Sequence, residues 1–129
     1  MAVTARLSSI EIDRLLPYAD GTSLASFRAR TRAPWSWIPR VLGAGAVTLG
    51  SNVAFRAGLY DPTTPHGLAL IAHECIHVRQ YRQMGFLPFL IAYARGAVAS
   101  RFVHNNHPLE LEPEAVQARV YAELQAAQP

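Results

Sequence analysis

The chain has 129 residues, half of them apolar, which suits one domain with a core that needs no disulfide staples. Its formal charge of +3 is too mild to demand a polyanionic partner, and a lone Cys75 excludes an internal disulfide and fits a reducing, cytoplasmic setting. Residues 1–13 hold no apolar core of signal-peptide length, and no run reaches the roughly eighteen apolar residues of a membrane-spanning helix.

Ser8 and Glu11 form a capping box ahead of Ile12, Leu15 and Leu16, and Pro17 followed by Asp20-Gly21 ends that short helix. Residues 21–40 are expected to be irregular or to hold a short helix around 24–28. Arg28, Arg30, Arg32 and Arg40 are interleaved there with Trp35 and Trp37, a composition usable at a nucleic-acid or membrane surface. Pro34, Pro39 and the lack of a helical period favour a loop instead, with Trp rings on the core and Arg groups in solvent. No specific nucleic-acid partner is expected; peripheral membrane contact stays compatible with the composition.

Residues 46–49 and 53–55 are strand-like and are separated by Gly50-Ser51-Asn52, which suits a turn, so a hairpin or small sheet edge is expected. Thr64 can then cap a helix that has Pro65 at its first position and Gly85 as its stop. Its apolar residues, Leu68, Ile71, Ala72, Ile76 and Val78, mark it as substantially buried. A second helix is expected over 87–103; its apolar part, broken by Pro88, Arg95 and Gly96, reads as buried. A third is expected over 112–126, with Ala115, Val116, Val120 and Leu124 on its inner face. The fold class is α+β and mostly helical. One domain spans 1–129, with a helix and irregular arm over 1–40 and a catalytic core over 41–129.

Inside the capped helix lies His73-Glu74-Cys75-Ile76-His77, an H-E-x-x-H sequence. A helix sets the two histidines one turn apart, about 6 Å in rise and about 40° in rotation, so both imidazoles can meet one metal ion. Glu74 sits beside them, where it can reach a metal-bound water as general base. A carboxylate in so apolar a stretch needs a partner or a role. Cys75 points to a different side of the helix and reads as a core residue. Catalytic zinc usually takes three protein ligands. The extended H-E-x-x-H-x-x-G-x-x-H scheme is excluded, because Gln80 and Gln83 stand where it needs Gly and His. The run 104–115 concentrates His104, His107, Glu110, Glu112 and Glu114; the two histidines there read as loop residues near a helix start.

With these two motifs the chain resembles the gluzincin type of zincin metallopeptidase, closest to minimal single-domain members whose later motif resembles N-P-[FL]-E-x-E-A. The similarity runs from about Val47 to Ala118. The resemblance implies a zincin-like fold, a Zn²⁺ cofactor, Glu110 as third ligand beside His73 and His77, and Glu114 orienting a ligand histidine from behind. It also implies hydrolysis of a peptide or protein substrate, whereas the residues alone imply only metal-assisted hydrolysis. The chain departs from the pattern at Pro113, where the family has Ala. Proline is tolerated in a first helical turn, so the last helix should start near Leu111 with Glu110 at its edge. A shifted match would make Glu112 the ligand instead. Tyr81, Tyr93 and Arg101 are candidate donors to an oxyanion, and the strand region 47–55 is a candidate cleft edge for an extended substrate. The alternative to an enzyme is a catalytically inactive zincin-like interaction module.

Overall fold

The computed structural model describes residues 4–101 and 107–127. A short strand β1 (Thr4–Ala5) precedes α1 (Ser9–Leu15), whose capping box is formed: Ser8 N–H donates to Glu11 Oε1 at 2.8 Å and Glu11 N–H to Ser8 Oγ at 3.2 Å. Asp20 does more than close this helix. Its carboxylate accepts from the Ser23 N–H at 3.0 Å and so caps α2 (Gly21–Ser26), which lies earlier than the expected 24–28. The chain then leaves the helix, because Phe27 and Ala29 are buried while Arg28 and Arg30 are less so, a period of two. The result is strand β2 (Arg28–Arg30). The first forty residues, expected as a helix and an irregular arm, thus add two strands to the sheet and Leu15, Leu24 and Phe27 to the core.

After α3 (Trp37–Leu42) come β3 (Ala46–Leu49) and β4 (Asn52–Phe55), joined by a turn at Gly50-Ser51. Gly50 has φ 70°, a left-handed conformation that glycine adopts without a side-chain clash. The four-stranded sheet runs β1-β2-β4-β3, with β2 parallel to β4 and the other pairs antiparallel. β4 is internal, with Val53, Ala54 and Phe55 fully buried, so of the two strands only β3 is free to form an edge. The expected placement of the Trp rings on the core fails for Trp37, which is exposed; Trp35 instead lies under the Arg30 guanidinium, 5.1 Å from its ring centre.

Thr64 caps α4 (Pro65–Met84) by accepting from the Gly67 N–H at 3.0 Å. The helix is buried on nearly every side, packed against α6, β3, α2 and α5, and its Leu68, Ile71, Ala72, Cys75 and Ile76 join Phe27, Val53, Phe55 and Val120 in one core. Gly85, at φ 92°, separates α4 from α5 (Phe86–Ala99). The expectation of a buried α5 reaching 103 is corrected. Only Phe89 of this helix is buried, Leu87, Ile91 and Val98 face solvent, and it ends at Ala99. Its apolar residues lie all round the cylinder while it packs along one line only, so most cannot be covered. Residues 102–106, His104 included, lie outside the described residues. A 3₁₀ turn (Pro108–Glu110) leads into α6 (Leu111–Ala127). Of its expected inner face, Val120 is buried and Val116 and Leu124 pack on the core, but Ala115 is exposed.

Candidate metal centre

The long capped helix carries His73 and His77 one turn apart, with ring centres 5.2 Å from each other. Their Nε2 atoms each lie 3.0 Å from the same oxygen, Oε1 of Glu110. One ligand atom from each of these three buried residues falls within 4.8 Å of the others, close enough to hold a metal ion. Of the two candidate third ligands, Glu110 is the one that lies with the histidines. Glu112 is largely exposed and pairs with Arg79 instead.

Glu110 reaches the histidines because of the turn that precedes α6. His107 is buried; its Nδ1 accepts the Leu109 N–H at 3.1 Å, and its Nε2 donates to the carbonyl of Tyr93 at 2.8 Å. As expected it lies outside the helices at a helix start, but it is packed there as a clamp between the turn and α5. The fit is tight: a Cβ at Gly96 would lie 2.6 Å from His107 Cε1. Pro113 falls in the first turn of α6, where its missing N–H costs nothing. The second oxygen of Glu110 accepts from the Tyr93 hydroxyl at 2.5 Å.

Two amides, Gln80 and Gln117, complete the arrangement. Gln80 donates its NH₂ to the Leu109 carbonyl at 3.2 Å, which turns its oxygen toward His77 Nδ1 at 2.8 Å. His77 Nδ1 must then carry a hydrogen, and its Nε2 lone pair faces Glu110 once the ring is neutral. Gln117 Oε1 faces His73 Nδ1 at 2.7 Å and sets the same tautomer there. Glu114, to which the resemblance gives an orienting role, lines the same cleft, and its charge acts on His73. Neither glutamine was marked by sequence, since a lone amide carries no spacing signal.

Glu74 lies beside this cluster. Its Oε1 accepts from the Thr48 hydroxyl at 2.9 Å, and its Oε2 stands 3.7 Å from His73 Nε2. Burial disfavours charge on His73, but the Glu110 hydrogen bond and the charges of Glu74, Glu110 and Glu114 outweigh it and push the ring up to about 9. The same contest raises His77. Burial likewise opposes the Glu110 charge, yet hydrogen bonds from both histidines hold its carboxyl well below the usual carboxylate range. Burial and the bond to Glu110 raise the Tyr93 hydroxyl. Cys75 is fully buried in the core, where desolvation raises its thiol.

These groups open into a cleft of about 620 Å³ between β3 and α5. Of the candidate oxyanion donors, Tyr81 and Tyr93 line it, whereas Arg101 is exposed and is not among its walls. The Tyr81 hydroxyl donates to the Thr48 carbonyl at 3.0 Å. Gly45 O accepts from the Arg56 N–H at 2.8 Å, so the ladder bonds to β4 fall on Gly45, Val47 and Leu49. The backbone groups of Ala46 and Thr48 therefore turn to the open edge.

A family model described as the eCIS core domain matches residues 19–85, more than half of the chain and a span that includes His73, Glu74 and His77. The chain belongs to the eCIS core domain family. No curated protein and no solved structure matches it. In this eCIS core domain chain the matched segment carries the motif helix, while Glu110 and Gln117 lie beyond it.

Proposed function

We propose that this eCIS core domain protein is a zinc-dependent metallopeptidase with Glu74 as general base. The reading is carried by one observation: His73, His77 and Glu110 converge on a buried point with Glu74 beside it, at the floor of an open cleft. The donor set suits zinc, being two imidazole nitrogens and a carboxylate oxygen with both tautomers set from behind. When bound, zinc supplies Lewis acidity and lowers the pKa of a water molecule.

The chain's own groups do the rest. Glu74 takes a proton from the attacking water and returns it to the leaving amine. The Thr48 hydroxyl, bonded to one Glu74 oxygen, leaves the other turned toward the histidines. An extended peptide is held along β3, whose edge groups at Ala46 face the cleft, while Tyr81 already covers the Thr48 carbonyl. Tyr93 is the donor best placed to assist, since its hydroxyl already reaches into the cluster.

The test is Glu74→Gln, assayed with a peptide library beside metal analysis. The variant should keep its metal and lose hydrolysis. Equal cleavage by both proteins overturns the catalytic role. Metal binding with no cleavage by the wild type would leave a metal-binding interaction module.

A further inference from the structure

Away from the metal centre, α3 presents large apolar groups to solvent. Trp37, Val41 and Leu42 are 59%, 82% and 66% exposed, and they succeed one another at helical spacing. Three large apolar groups on a six-residue helix cannot be explained by the core, which α3 touches through the buried Pro39. The stretch of sequence that carries them has charge of one sign. From residue 21 to residue 60 the sequence holds Arg28, Arg30, Arg32, Arg40 and Arg56 and no acidic residue. Arg40 lies on α3 itself, exposed and in no ion pair among the described residues. Arg56 is tied to the segment after α3, its N–H donating to Gly45 O.

We propose that α3 is a docking surface for an anionic lipid bilayer. The apolar tip enters the acyl boundary, and the arginines meet lipid headgroups at its rim. Their long stems allow the charge to stay at the interface while the methylenes accompany the apolar groups inward. The segment itself carries no carboxylate to repel an anionic surface. A nucleic acid would use the arginines but offers no hydrocarbon for Val41 and Leu42, so a bilayer accounts for both halves of the patch. Leu42 also lines the cleft, so docking would bring the cleft mouth close to the membrane. Neither metal nor hydrolysis is needed for this docking.

The experiment uses the full chain with phosphatidylcholine vesicles, alone or with about 30% phosphatidylserine. Trp35→Phe leaves Trp37 as the sole tryptophan, whose emission should shift to the blue on the anionic vesicles. Co-sedimentation should be at least about tenfold stronger with phosphatidylserine than without it, and should weaken with salt. Val41→Ser with Leu42→Ser should weaken it about tenfold, as should Arg40→Glu; both changes lie on exposed positions that do not hold the fold. Glu74→Gln should bind vesicles as the wild type does, which separates this result from that of the peptidase assay. No vesicle binding, or binding indifferent to these changes, overturns the proposal. So does self-association through the same residues, or duplex DNA displacing the vesicles.

Discussion

Replacing Gln117 with leucine tests whether the amide behind His73 sets the metal centre. Leucine keeps most of the volume but cannot accept the His73 Nδ1–H, which the native amide meets at 2.7 Å. His73 is only 5% exposed, so water is poorly placed to substitute. A buried donor left unsatisfied costs about 1–3 kcal/mol. At about 1.4 kcal/mol per decade, that is a loss of roughly 5- to 150-fold in metal affinity. The range brackets the roughly 10- to 100-fold seen when groups behind metal ligands are removed. The metal-free ring can turn to find other partners, whereas the metal-bound ring is fixed, so the cost appears mainly in binding. Competition against a chromogenic chelator measures it, with melts of the metal-free protein as the folding control. Gln117→Glu retains an acceptor and should hold affinity within about threefold. If Gln117→Leu binds as tightly as the wild type, the proposed role of the amide is wrong.

Three more outcomes are expected. Thr48→Val removes the 2.9 Å donor to Glu74 and should lower kcat about tenfold with metal affinity unchanged, read from steady-state kinetics beside the chelator assay. Gly96→Ala forces a Cβ to within 2.6 Å of the His107 ring, which two hydrogen bonds prevent from yielding; metal affinity should fall about tenfold while circular dichroism stays native. The metal-free chain holds the His73 proton up to about pH 9 and raises His77 as well, so metal must displace protons. Apparent affinity should climb by about tenfold per pH unit for each proton displaced, the His73 share levelling above about pH 9. Metal-free stability should run the opposite way: the His73 contribution is complete below the ordinary imidazole value of 6.5 and is lost as the pH passes about 9. Thermal melts and chelator titrations across that window check both signs, and affinity that is flat with pH contradicts the assignment.

The parts of the molecule legible in sequence are those specified locally. Thr64 and Pro65 start the motif helix, Gly85 stops it, and helical period alone sets His73 over His77. Pro113 marked where the last helix had to begin, which is why Glu110 rather than Glu112 sits at its inward edge. Non-local pairings escaped. β1 and β2 are two and three residues long, and β2 lies parallel to a strand more than twenty residues away, with no turn to announce it. Gln80 and Gln117 meet the histidines only through tertiary packing. The errors over α5 and Trp37 share one cause: apolar composition reports what a residue would gain by burial, not whether this chain supplies a cover.

The hydrogen bond from Gln80 to the Leu109 carbonyl ties the family-matched segment to the C-terminal part of the chain outside it. It joins an amide that fixes a motif histidine to the turn bearing the third carboxylate. Inheritance of the motif and inheritance of a working centre are therefore separable. A lineage could preserve every letter of H-E-x-x-H and still lose metal through drift around Leu109 or Gln117. Surveys of such domains that count intact pentapeptides would overstate how many keep the full cluster of His73, His77 and Glu110.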